Sequence, residues 1–250
     1  MTGPVLPAAT AQLVHLVFEW LALAGGVQLY RWQRRRAHQP ALLQPGSFAV
    51  VVGCILGAAI GNKLVFWIEM PHLWHGLDPD WRLIASGQSI VGGLLGGLLG
   101  VEIAKKAAGL RGSTGDQFIL PLIVGTIVGR IGCFLAGLHD GTYGVPTSVP
   151  WGVDFGDGIP RHPTQVYDML FVLAVGALLW RARLPLARSP GLAFKLYLSS
   201  YLAWRLFVDG IKPVAYAYAF GLSGIQWVCV LALACYLPFV FFQSRELART

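Results

Sequence analysis

Arg130 stands in the middle of an apolar run that reads FILPLIVGTIVGRIGCFLAGLHDGTYG from Phe118 to Gly144. A lone charge at the centre of a membrane helix costs about 2.5–3.5 kcal/mol on insertion scales, so it reads first as a functional group facing a polar cavity. The plainer alternatives are a side chain that snorkels to the interface or pairs with a carboxylate for packing alone. A second apolar run holds Tyr201, Arg205 and Asp209 at i, i+4 and i+8, which puts all three on one helical face. Two arginines from separate helices facing one cavity make a cradle for a phosphate, because the guanidinium fork is always charged and binds oxyanions in bidentate fashion. Mutual neutralisation of Arg205 and Asp209 is the alternative.

Other polar groups sit close to these runs. Asp116 precedes the Arg130 run, and Asn62 and Lys63 follow Gly61, where they are candidates for binding a lipid headgroup. A snorkelling lysine is the competing reading there. The polar segment 138–164 supplies His139, Asp140, Tyr143, Asp154, Asp157, Arg161 and His162. Either histidine could take a proton from a thiol or hydroxyl near neutral pH, or could simply be solvated.

The elements that must position these groups are membrane helices. Of 250 residues 55% are hydrophobic and only 12% charged, half the charge of a soluble domain. Mean hydropathy is +0.60. The net charge of +7 lies between apolar segments rather than as a nucleic-acid footprint, so no nucleic-acid partner is expected. Cys54, Cys133, Cys229 and Cys235 all fall in apolar stretches without a CxxC pair or a His cluster in sequence, which predicts neither disulfide nor metal. No cleavable signal peptide is evident: the basic cluster follows the first apolar run.

Runs long enough to cross about 30 Å of hydrocarbon lie near 11–30, 47–69, 84–104, 117–137, 165–181, 191–209 and 223–242, predicting a single all-α, seven-transmembrane helix bundle. Twelve basic residues follow the odd-numbered spans: Arg31, Arg34, Arg35, Arg36, Lys105, Lys106, Arg111, Arg181, Arg183, Arg188, Arg245 and Arg249. Only Arg82, Arg161 and Lys212 lie in the other loops, so the N-terminus is expected outside and the C-terminus in the cytoplasm. Segment 138–164 is then an outer, periplasmic-side loop between spans four and five, turning at Gly156-Asp157-Gly158. Trp74, Trp81, Trp151 and Trp227 fall near expected water interfaces. Glycines repeat every fourth residue at Gly53-Gly57-Gly61, Gly92-Gly96-Gly100 and Gly125-Gly129, a pattern for close helix packing.

With these residues assembled, the chain resembles the bacterial prolipoprotein diacylglyceryl transferases. Gly129-Arg130-Ile131-Gly132-Cys133-Phe134 is similar to the family signature GRxGNF, Arg161 to Asp168 (RHPTQVYD) to RHPSQLYE, and Tyr201, Arg205 and Asp209 to a Tyr…Arg…Glu pattern. The chain departs from the family at Cys133 and Ala136, where asparagines are expected, at Leu138 in place of a glutamate, and at Val91 in place of a histidine before Gly-Gly. The resemblance implies transfer of a diacylglyceryl group from phosphatidylglycerol to the lipobox thiol in the signal-peptide region of a prolipoprotein. It also implies a multi-pass protein of the bacterial inner membrane, in contact with membrane lipid and working without a cofactor. Arg130, Arg205 and Tyr201 would serve the phosphate, His139 or His162 the thiol proton, and Asp140 or Asp209 would orient. Asn62, Arg161 and Asp116 would bind substrate. The alternatives are a non-catalytic phospholipid-binding or transport protein, or a lipid transferase with another acceptor.

Overall fold

The computed structural model describes residues 1–75, 84 and 87–249. Trp81 and Arg82, and the side chain of Trp74, lie outside the described residues. The long helices are α1 (Ala8–Arg36), α2 (Pro45–Glu69), α3 (Ile90–Ala107), α4 (Ile119–Ala136), α5 (Thr164–Arg181), α6 (Leu192–Val208) and α7 (Gly224–Arg249). Helical stretches Ala8–Arg36, Gly46–Glu69, Gly115–His139 and Gly224–Arg249 are long and apolar enough to cross a membrane. Large apolar side chains such as Leu13, Trp20, Ile55, Leu99 and Phe239 point outward, while Arg130, Gln165, Asp168, Arg205 and Asp209 are buried. This inverted distribution belongs to a multi-pass integral membrane protein.

Local chemistry explains where the helices begin and end. Pro45 occupies the first turn of α2, where its missing N–H is no loss. α1 runs six residues beyond its apolar stretch and closes on Arg34, Arg35 and Arg36, cations that complement the helix C-terminus. α3 starts at Ile90, later than the apolar run that opens at 84. Ser89 caps it by accepting from Gly92 N, and the Asn62 side chain accepts from Ser89 N at 2.5 Å. Lys63 Nζ donates to Gly87 O beside it at 2.7 Å. α4 ends where Gly137 takes φ +60°, a left-handed conformation natural to glycine.

The glycine repeats of α2 and α3 face one another. A methyl added at Gly53, Gly57 or Gly61 would fall on the backbone carbonyl of Gly100, Gly96 or Gly92 respectively. Lipid offers no hydrophobic drive to press apolar helices together, so close backbone contact supplies dispersion instead. α1 lies along α4 in the same way: a methyl on Gly132 would meet Phe18 Cβ. Between these pairs Val91, Ile123, Val172, Tyr197, Leu198, Tyr201, Leu202 and Cys229 form the core.

Between α4 and α5 the chain makes a short antiparallel hairpin, β1 (Val153–Asp154) and β2 (Pro160–Arg161). Its turn uses Gly156 at φ +105° and Gly158 at φ +79°, with both amides donating to Asp154 Oδ1. The hairpin is tied to the start of the chain through Gly3 N→Asp154 O at 2.7 Å, and Val145 N donates to Ile211 O at 2.9 Å beyond α6. It thus covers one end of the helices that carry Arg130 and Arg205. Replacing Gly57 or Gly96 by Val is expected to cost about 1–3 kcal/mol through overpacking, read as a lower thermal unfolding midpoint in detergent.

Candidate functional site

The buried charges of α4, α5 and α6 gather around Asp168. Arg130 Nε lies 2.8 Å from Asp168 Oδ2, and Trp204 Nε1 donates to Asp168 Oδ1 at 2.7 Å. Trp204 is held by stacking on Phe171, with centroids 4.7 Å apart. The next residue of α6, Arg205, grips Asp209 just past the helix end with two hydrogen bonds, Nε→Oδ2 at 3.0 Å and Nη2→Oδ1 at 2.7 Å. Lys212 Nζ approaches the same carboxylate at 3.3 Å. Trp204, which bonds Asp168, immediately precedes Arg205 on α6, so the Arg130–Asp168 and Arg205–Asp209 pairs are neighbours.

Charge counting gives this cluster its character. Arg130, Arg205 and Lys212 pair with Asp168 and Asp209, and Glu69 at the end of α2 adds a third carboxylate in the field of Arg205 and Asp209. Cations and carboxylates then balance three to three, in a place where charge is expensive. Tyr201 adds a hydroxyl that lies in the field of both arginines but makes no hydrogen bond of good geometry. Gln165, fully buried and one turn before Asp168, leaves both atoms of its amide unpaired. Buried polar atoms without partners are uncommon, and here they lie on helix faces bearing buried charge. A headgroup with hydrogen-bonding oxygens would satisfy them.

Lys212 lies beyond α6. Burial first, and then the Arg205 and Arg130 charges, push its pKa down to about 8 against the opposing pull of Asp209 and Asp168.

The remaining expected site residues fall elsewhere. Asp116 accepts from Gly191 N at 2.7 Å and Phe194 N at 2.9 Å, capping the start of α6. At 1.5 Å per residue that end lies about 20 Å from Arg205 along the helix, so Asp116 does not join the cluster. Asn62 is engaged in starting α3. Arg161 pairs with Asp157 through Nη1 at 2.7 Å and Nη2 at 2.6 Å, and lies over the Tyr143 ring on the hairpin. Its hydrogen bonds hold the Asp157 carboxyl below the usual range. His139 is exposed. His162 Nδ1 meets Tyr167 OH at 3.1 Å. Asp140 bonds to neither of these histidines; its Oδ1 faces His15 Nδ1 at 3.2 Å.

Two groups were missed in sequence. Asp168 was visible as a carboxylate inside an apolar run, and the unpaired Arg130 called for one. His15 and Glu19 were a polar i, i+4 pair in the first apolar run, 3.4 Å apart in the structure. With Cys133, His15 and Asp140 gather metal-ligating atoms within 4.8 Å of one another, a cluster that sequence spacing did not show.

A family model described as prolipoprotein diacylglyceryl transferase matches residues 16–242. The chain belongs to this family. Among similar proteins named phosphatidylglycerol–prolipoprotein diacylglyceryl transferase, that of Bordetella parapertussis is 29% identical over 98% of each chain. The one from Geobacter sulfurreducens is 31% identical over 84% of this chain and 83% of its own, and that of Cupriavidus metallidurans 29% over 88% and 97%. Val91 is fully buried among apolar residues of the core.

Two outcomes follow for this diacylglyceryl transferase family member. Asp168→Asn leaves Arg130 uncompensated and should cost about 3–5 kcal/mol, read by thermal unfolding, with most of it recovered in Arg130→Met/Asp168→Leu. Above pH of about 8 Lys212 loses its proton, so the cluster loses one positive charge and binding of anionic lipid should weaken. Lys212→Arg should remove that pH dependence in a phosphatidylglycerol binding titration.

Proposed function

We propose that the chain transfers a diacylglyceryl group from phosphatidylglycerol to the lipobox cysteine thiol of a prolipoprotein. The observation that carries this reading is the pair of buried guanidinium groups, Arg130 and Arg205, beside the unpaired Gln165 amide and Tyr201 hydroxyl. A phosphodiester headgroup, anionic and rich in hydrogen-bonding oxygens, suits those donors. During transfer the thiol sulfur attacks the glycerol methylene and the C–O bond to phosphate breaks. Charge then grows on the departing glycerol phosphate, and fixed cations in a water-poor site stabilise it without reorganising. Arg130 and Arg205 supply that stabilisation, while Tyr201 and Gln165 offer hydrogen bonds to the headgroup.

In this reading the seven long helices form one transmembrane domain of seven spans in the bacterial inner membrane. The distribution of basic residues supports an N-terminus outside and a C-terminus in the cytoplasm. The hairpin then lies on the outer side, where exported prolipoproteins present their signal-peptide region. His139, His162 and Arg161 would meet the acceptor from the loop.

A non-catalytic lipid-binding protein is the second reading, favoured by the hydrocarbon around Val91. The two separate in a membrane assay with labelled phosphatidylglycerol and a lipobox peptide. Transfer by the wild type is expected, and Arg130→Ala or Arg205→Ala should each lower it by about 10²–10³-fold. Full transfer in both variants would remove the assignment; tight lipid binding without product would favour the binder.

A further inference from the structure

Transfer to a thiol requires a group that takes the thiol proton. Where α1 packs against α4 beside Arg130, the fold assembles a constellation that the phosphate cradle leaves unused. His15 of α1 presents Nδ1 to Asp140 Oδ1 at 3.2 Å and Nε2 towards Cys133 Sγ at 3.9 Å. With Asp140 Oδ1 at ion-pair distance from Nδ1 and Glu19 Oε1 3.4 Å from Nε2, an imidazolium formed at His15 would have a carboxylate beside each nitrogen. Asp140 is itself fixed: its side chain is 1% exposed, and its second oxygen accepts from the Thr142 hydroxyl.

The placement relative to the cradle decides what this group can do. Arg130 Nη1 also lies 3.9 Å from Cys133 Sγ, so imidazole and guanidinium flank one point from two helices. Cys133 follows Arg130 by three residues on α4, which puts both on the same face. Gly132 allows α1 to approach closely enough at Phe18 and His15 to close the arrangement. The His15 side chain remains 32% exposed, so a substrate can reach it, whereas Cys133 and Asp140 lie behind it.

We propose that His15, oriented by Asp140, is the proton acceptor for the thiol that receives the diacylglyceryl group; this rests on the transfer reading above. The acceptor S–H gives its proton to His15 Nε2 as sulfur bonds to the glycerol methylene. The C–O bond breaks, and its electron pair leaves on glycerol phosphate beside Arg130. Glu19 Oε1, 3.4 Å from Nε2, pairs with the imidazolium so formed. The proton then passes to the departing phosphate monoester or to water, which restores the base. Cys133 is not the nucleophile, because a diacylglyceryl thioether formed on it would have no good leaving group for onward transfer. Nor does the trio favour a metal: the Arg130 guanidinium beside the thiol repels a divalent cation. Asp140 acts through His15 and is a positioning residue.

The test uses full-length protein in phosphatidylglycerol-containing nanodiscs with a lipobox peptide, measuring lipid binding and transfer separately. His15→Gln should lower kcat by about 10²–10⁴-fold with lipid binding unchanged, and imidazole should partly restore His15→Ala. Asp140→Asn should lower kcat at unchanged KM for phosphatidylglycerol and shift the pH profile. The groups that face the ring in that profile are Glu19, Asp140, Cys133 and Arg130. An active wild type with His15→Gln equally active overturns the inference alone. A wild type that binds lipid and transfers nothing overturns the transfer reading, and this one with it. Stoichiometric zinc that copurifies with wild type and is lost in His15→Gln also overturns it.

Discussion

The contact between Arg130 and Asp168 is the constraint around which the bundle is organised. A guanidinium removed from water needs a partner at hydrogen-bond distance, and none stands on its own face of α4. The partner comes from α5, and the carboxylate that provides it also receives the indole of Trp204 from α6. One ionic contact thereby fixes the rotation of three helices about their axes. Desolvation makes such a pair weak as net stabilisation but costly to break, so its value is in specifying which faces meet.

Arg130 also sets the relation between two kinds of chemistry. Its Nε is committed to Asp168, while Nη1 points towards Cys133 and the histidine behind it. In the proposed transfer, a phosphate on this guanidinium would lie close to the imidazole, which would make α1, otherwise largely exposed, part of the reacting surface.

How much of this could be read in sequence depends on the range of the interaction involved. Arg130, Tyr201, Arg205 and Asp209 were legible because a polar residue in an apolar run is conspicuous, and helical spacing alone puts the last three together. Asp168 and His15 were harder, since their partners lie on other helices and no periodicity reports a contact between elements. Asp116 and Asn62 show the converse problem. A short polar side chain next to a span serves equally as a ligand or as a cap, and both turned out to satisfy backbone amides. Hydropathy also located hydrocarbon rather than helix: α1 and α7 continue past their apolar runs on Gln, Glu, Ala and Arg, which favour helix in water as well.

The facing glycines of α2 and α3 carry an ambiguity of their own. A ladder that repeats every four residues still meshes if one helix slides by a single turn, about 5.4 Å, with Gly57 then opposite Gly92. Dispersion between bare backbones cannot tell the two alignments apart. The aperiodic end can: only the native alignment brings the Asn62 amide to Ser89 N and the Lys63 ammonium to Gly87 O. Those two bonds act as a latch that distinguishes the correct tooth from its neighbour during assembly.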